Sequence, residues 1–182
     1  MKNKIAVIGA GNVGATLALY IAQKELGDIA LVDINGDLAK GKAIDIMQSG
    51  PVLGFDAKIE AGSGYEIIKD AKVVAVTAGL ARKPGMDRLD LLHKNRDIID
   101  EIAANIKKFA PDSIVIVVSN PVDVMTYRMW QKTGFPSQRV MGQAGVLDTA
   151  RMMQFISEKT AINNKEIKGM VLGGHGDTMV PV

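Results

Sequence analysis

The chain has 182 residues, 47% of them hydrophobic and 23% charged, and a formal net charge of +2 at pH 7. This is an ordinary globular composition, long enough to bury roughly 70% of the unfolded surface, and its near-neutral balance gives no reason to expect nucleic acid or an anionic membrane as partner. No apolar run approaches the ~20 residues that span a bilayer, and the absence of cysteine excludes disulfides and thiolate catalysis and suits a cytoplasmic location.

Apolar runs alternate with helical patterns along the chain, which predicts βαβ units and an α/β fold with a parallel sheet. A first strand is expected over Lys4 to Ile8 and a first helix from Asn12 to Lys24. Between them lies Gly9-Ala10-Gly11-Asn12-Val13-Gly14, a G-x-G-x-x-G turn. There Gly9 permits the tight bend, Gly11 admits a pyrophosphate close to the backbone, and Gly14 lets the helix pack on the strand. The helix N-terminus then presents free N–H groups, from Asn12 and Val13 onward, and a positive dipole end to phosphate. A second strand, Ile29 to Asp33, ends in an acid. Asp33 falls 19 residues after Gly14, close to the ~20 at which a carboxylate takes the ribose hydroxyls of NAD and repels the extra phosphate of NADP. A glycine-rich turn with no ligand is the competing reading, and Asp33 weighs against it.

A helix over Asp37 to Met47 is expected to stop at Gly50-Pro51. Lys58 to Ala61 reads as an edge strand and Tyr65 to Lys69 as one or two helical turns. Lys72 to Thr77 is a buried strand, followed by a loop from Leu80 to Arg88. Leu92, Ile99, Ile102, Ile106 and Phe109 form one stripe of a helix from Leu89 to Phe109, closed by Pro111. Ser113 to Ser119 is an unbroken β-branched strand suited to a sheet covered on both faces. Asn120-Pro121 starts a helix over Val124 to Lys132, whose Met125, Met129 and Trp130 read as core. Val140-Met141, Leu147 to Glu158 and Ile167 to Leu172 follow as strand, helix and strand.

Two groups of residues could do chemistry. Arg82, Lys83 and Arg88 place three cations within seven residues, in a loop at the carboxyl ends of the strands, where ligands bind in open α/β sheets. They form either a solvated basic loop or a guanidinium clamp for a carboxylate. Asp148 and Arg151, three apart on a helix, share a face. His175 is one of only two histidines and sits in a glycine-rich turn. A carboxylate can fix a histidine's tautomer for acid–base work. An intrahelical ion pair and a structural histidine are the bland alternatives. His93, in the long helix, is read as non-catalytic.

These stretches resemble the malate and lactate dehydrogenases, within that family the malate dehydrogenases of lactate-dehydrogenase-like type. The matching segments are Gly9 to Gly14, Thr77 to Arg88, Ser119 to Asp123, Gly145 to Arg151 and Gly173 to Pro181, in family order along nearly the whole chain. The resemblance implies a Rossmann doubly wound parallel sheet over 1–142 and, over 143–182, the beginning of a second, α+β substrate domain. It implies NAD as cofactor, malate and oxaloacetate as substrates, a homodimer or homotetramer at full length, and no metal. It makes His175 the proton donor and acceptor, Asp148 its orienting carboxylate, Arg151 the clamp on the carboxylate beside the reacting carbon, and Arg88 the residue that polarises the carbonyl. Asn120 holds the nicotinamide and substrate region. Arg82 takes the second carboxylate, where lactate dehydrogenases carry a neutral glutamine. Thr77, Ala78, Gly79, Asn95 and Val118 join Gly9, Gly11, Asn12, Val13, Gly14 and Asp33 along the cofactor. Because the family continues well beyond the His175 loop, the resemblance also implies that the chain is a fragment, with a missing part that covers Leu147–Glu158 and Ile167–Leu172.

Overall fold

The computed structural model describes residues 3–80, 85 and 87–182, the last range without the side chain of Arg88. The elements in order are β1 (Lys4–Ile8), α1 (Asn12–Gln23), β2 (Asp28–Val32), α2 (Gly36–Leu53), β3 (Ile59–Gly62), a 3₁₀ turn (Tyr65–Ile68), β4 (Val73–Val76), α3 (Arg88–Phe109), β5 (Ile114–Val117), α4 (Val122–Thr133), a second 3₁₀ turn (Ser137–Arg139), β6 (Val140–Gly142), α5 (Gly145–Thr160), β7 (Val171–Leu172) and β8 (Val180–Pro181). Six parallel strands form one sheet in the order β3-β2-β1-β4-β5-β6. The strands grow outward from β1 to β3, then the chain crosses back to lay β4 on the other side of β1. Ligands bind at such a reversal, outside the carboxyl ends of the strands. The register aligns Ile8 with both Val32 and Val76, and Val76 with Val117. The residues that follow, Gly9, Asp33, Thr77 and Val118, therefore share one edge.

The unbroken apolar strands follow from burial on both faces. Successive side chains alternate between faces, so Ala6, Ile8, Ala30 and Val32 pack with Ile99, Ile102, Ile106, Met125 and Met129 of α3 and α4. Val7, Ile29 and Leu31 pack on the opposite side with Ala18, Ile21 and Ala22 of α1 and Ala39, Ala43 and Ile46 of α2. No helix among the described residues is long and apolar enough to cross a membrane.

Three expectations need correction. Pro51 does not stop α2, which continues to Leu53 and ends where Gly54 takes φ 76°. A proline in the last turn forfeits a single backbone bond, whereas the left-handed glycine supplies the actual stop. Gly50 is small for packing: a Cβ there would meet the Phe55 carbonyl oxygen at 2.7 Å. Second, the strand expected over Ile167 to Leu172 shrinks to Val171–Leu172, which pairs antiparallel with Val180–Pro181. Upstream, Asn163 bends the chain, its Oδ1 accepting from Lys165 N at 3.0 Å. Third, Trp130 is not core. Met125 and Met129, four apart, face the sheet, while Trp130 lies part-exposed against Tyr127 with ring centroids 5.6 Å apart.

α4 is also tied to α3 by charge. Arg128 donates from Nε and Nη2 to the two carboxylate oxygens of Asp100 at 2.6 and 2.7 Å, and Lys132 Nζ lies 3.1 Å from the same carboxylate. The Arg128 hydrogen bond, with Lys132 beside it, holds the Asp100 carboxyl below the usual carboxylate range. A lowered folded-state value means that this stabilisation is fully present above the unfolded carboxylate value, near pH ~4, and disappears as pH falls through the folded one. Asp100→Asn therefore lowers Tm at pH 6 and narrows toward the parent at lower pH, as a pair of thermal melts across that range reads out.

Candidate active site

The first half of the site is a cleft of about 470 Å³, lined by Gly9, Gly11, Asp33, Ser63, Tyr65, Thr77, Ala78, Gly79, Leu80 and Glu101 among others. Its floor is the glycine turn. Gly9 adopts φ +105°, and a Cβ there would come within 2.7 Å of Ala78 N. A Cβ on Gly14 would overlap the Gly9 carbonyl oxygen and lie 2.7 Å from Thr77 Oγ1. Thr77 Oγ1 itself donates to the carbonyls of Ile8 and Gly9 at 3.2 and 3.1 Å. The α1 N-terminus has no side-chain cap, and Asn12 and Val13 are exposed there, next to Gly11 of the cleft. Such a terminus takes an anion readily.

Asp33 sits at the carboxyl end of β2. Its Oδ2 accepts from Ala10 N at 2.6 Å and its Oδ1 from Asn35 N at 2.9 Å. Each carboxylate oxygen keeps lone-pair capacity for a further donor. The two backbone bonds thus aim the carboxylate without saturating it, which is what a ribose diol requires. Turn, bare helix end and aimed carboxylate together fit a dinucleotide. Sequence reasoning missed Tyr65 as a wall residue. Burial, then Glu101 and Asp33 nearby, push its phenol up to about 12, so the hydroxyl stays protonated and able to donate.

Asn95 is 1% exposed. Its Oδ1 accepts from Leu80 N at 2.8 Å, and its Nδ2 donates to the carbonyls of Asn120 at 2.8 Å and Leu80 at 3.3 Å. The side chain therefore joins the rim of the cleft to the segment that enters α4. Val118 N donates to Val76 O at 2.9 Å, which holds the ends of β4 and β5 level.

The second half gathers around His175. Its Nδ1 lies 2.7 Å from Asp148 Oδ2. A carboxylate only accepts, so Nδ1 is the donor and Nε2 is left for proton exchange. Asp148 comes from the first turn of α5 and is buried, its side chain 7% exposed. Arg151 Nη1 stands 3.5 Å from the other Asp148 oxygen and stays largely open, at 58% side-chain exposure. The ion pair and the histidine contact thus coexist on one carboxylate, and the guanidinium keeps donors for a ligand. A bond not expected from the sequence runs from His175 N to Asp123 Oδ2 at 2.9 Å. His93 stands apart, exposed on α3 beside Arg96. Arg82, Lys83 and the side chain of Arg88 lie outside the described residues.

Residues 3–142 match the family model described as lactate/malate dehydrogenase, NAD binding domain. The chain belongs to the lactate/malate dehydrogenase family. Residues 145–182 match the same family's alpha/beta C-terminal domain. The malate dehydrogenases of Staphylococcus carnosus (strain TM300) and Bacillus subtilis (strain 168) are each 51% identical over 183 aligned positions, covering 100% of this chain. The chain spans 59% of the length of these curated relatives. Among solved structures, the malate dehydrogenase of Cryptosporidium parvum superposes with a TM-score of 0.95 at 41% identity, over 100% of this chain and 58% of that one. The lactate dehydrogenase of the same organism, complexed with lactic acid and β-nicotinamide adenine dinucleotide, gives 0.94 at 38% identity, over 100% and 57%. The cleft beside the glycine turn accordingly lies in the family's NAD binding domain.

Proposed function

We propose that this protein carries out the reversible interconversion of oxaloacetate and malate as an NAD-dependent malate dehydrogenase. The observation that carries the reading is the His175–Asp148 pair, 2.7 Å apart, joined through Asp123 and α4 to the segment beside the cleft. The bound nicotinamide supplies or accepts the hydride. His175 Nε2 gives a proton to the carbonyl oxygen and recovers it from the malate hydroxyl, while Asp148 holds the imidazole in the tautomer that makes this possible. Arg151 takes the carboxylate beside the reacting carbon bidentately. Arg88 stabilises charge developing on the oxygen, and Asn120 holds the nicotinamide and substrate region. Asp33 takes the ribose, and Asn12, Val13, Thr77, Ala78, Gly79, Asn95 and Val118 flank the cofactor. Residues 1–142 and 143–182 act as the nucleotide and substrate portions. Homodimeric or homotetrameric assembly and a cytoplasmic location belong to the same reading.

The test is oxaloacetate reduction followed by loss of NADH absorbance. NADH with oxaloacetate outpaces both NADPH with oxaloacetate and NADH with pyruvate by about 10²-fold or more: the Asp33 carboxylate repels the extra phosphate of NADPH, and pyruvate lacks the second carboxylate. NADH binding without reduction of either acid would leave a nucleotide-binding module instead. Arg82 decides the choice of acid. A guanidinium enclosed with an acid that lacks a second carboxylate is left unpaired, which is costly. Arg82→Gln therefore shifts the kcat/KM ratio from oxaloacetate toward pyruvate by at least about tenfold; an unchanged ratio removes Arg82 from the selection.

A further inference from the structure

We propose that Asp123 is a positioning residue for His175: its carboxylate holds the main chain of the histidine loop so that the imidazole meets Asp148. The inference rests on His175 being the proton carrier, but its first readout does not.

Asp123 lies in the first turn of α4. There the helix dipole favours a negative charge. His175 is 52 residues further along the chain, and its N–H donates to Asp123 Oδ2 at 2.9 Å. A hydrogen bond to a charged acceptor is among the stronger kinds. The imidazole of the same residue bonds Asp148 on α5 at 2.7 Å. One residue is thus gripped by two carboxylates on two helices, one at its backbone and one at its ring.

The loop between these grips depends on small residues. Gly173 has φ +91°, and a Cβ on Gly174 would lie 2.8 Å from Thr178 Oγ1 and 3.5 Å from Asp123 Oδ2. Glycine leaves the segment free to adopt other conformations, so something outside it must select this one. Asp148 fixes the ring alone. Asp123 fixes the backbone from which the ring projects, and it does so from the helix entered through Asn120-Pro121. Because Asn95 ties Asn120 to Leu80 at the cleft, the proton carrier is registered against the nucleotide end. A group displaced by about 1 Å from its productive position can lose on the order of 10²-fold in rate.

The experiment compares Asp123→Ser, which suits a helix start but is too short to reach the loop, with Asp123→Asn, which retains an oxygen acceptor. Nitrogen-15 NMR of the imidazoles gives the direct reading, and exposed His93 is an internal control. In the parent, His175 shows a fixed tautomer protonated at Nδ1. In Asp123→Ser its signals collapse to tautomer averaging while His93 is unmoved, and Asp123→Asn restores the parent pattern. In the oxaloacetate assay the Ser variant loses about 10- to 100-fold in kcat, with a smaller change in KM and unchanged NADH affinity. A His175 spectrum unaffected by Asp123→Ser, or equal loss in both variants, overturns the proposal. The same NMR pattern without any turnover of oxaloacetate would sink the dehydrogenase reading and leave the Asp123 role standing.

Discussion

His175→Gln lowers kcat for oxaloacetate reduction by about 10³-fold, within the range that a positioned general acid contributes, and leaves the Kd for NADH unchanged. The side chain keeps similar length and a polar end, so the variant removes proton transfer more than volume. Nucleotide affinity is set elsewhere, by the glycine turn and Asp33, whose bonds run to Ala10 and Asn35 rather than to the histidine loop. Asp148 is 8% exposed, and in the variant it loses the imidazole 2.7 Å away, leaving Arg151 at 3.5 Å as its side-chain partner among the described residues. A buried charge with a weakened partner is costly, so a modest fall in Tm accompanies the loss of rate. Steady-state kinetics with NADH fluorescence titration separates these effects. A fall in kcat of less than tenfold would remove His175 from the chemistry.

Gly14→Ala is the second large effect, and here two forces compete. Alanine is favoured over glycine inside a helix by about 1 kcal/mol. Against that, the new Cβ would overlap the carbonyl oxygen of Gly9 and press on Thr77 Oγ1 at 2.7 Å. Gly9 is held in place, its N–H donating to Val32 O at 2.7 Å and its carbonyl accepting from Thr77 Oγ1 at 3.1 Å. Backbone meeting backbone has no rotamer to escape into, so α1 must lift off β1. Overpacking of this kind costs about 3 kcal/mol, and sterics win over propensity. Urea unfolding shows the net loss of about 2 kcal/mol. NADH affinity falls with it, since the helix end and the turn move apart. A variant as stable as the parent, binding NADH equally well, would mean that the close approach of helix to strand is not what Gly14 provides.

Much of this was legible in the residues, for identifiable reasons. The continuous burial of Ala6 to Ile8 and of Ile29 to Val32 shows as unbroken apolar runs because both sheet faces are covered. The glycine turn and Asp33 carry their geometry in their spacing. The stripe through Ile99, Ile102 and Ile106 is a local pattern with a local cause. What escaped depends on partners distant in the chain. Val180–Pro181 becomes a strand only because Val171–Leu172 is beside it, and the first of these reads as a plain tail. Pro51 looks like a breaker until Gly54 shows where the turn ends. Trp130 looks like core by type, but the inward side of α4 is Val122, Met125, Met129 and Thr133. The bond from His175 to Asp123 crosses half the fold, and no spacing rule reaches 52 residues. Asp123 stands inside a recognisable motif, yet nothing in Ser119-Asn-Pro-Val-Asp123 says where its carboxylate points.

The buried carboxamide of Asn95 has a mechanical consequence. It satisfies main-chain groups on two strands' outgoing segments at once, so neither can slide without leaving the buried carboxamide short of a partner. Leu80 is thereby pinned to the helix that backs the cleft. The cleft wall at Leu80 and the entry to α4 at Asn120 are coupled like two boards on one nail, so a push on either is felt by the other.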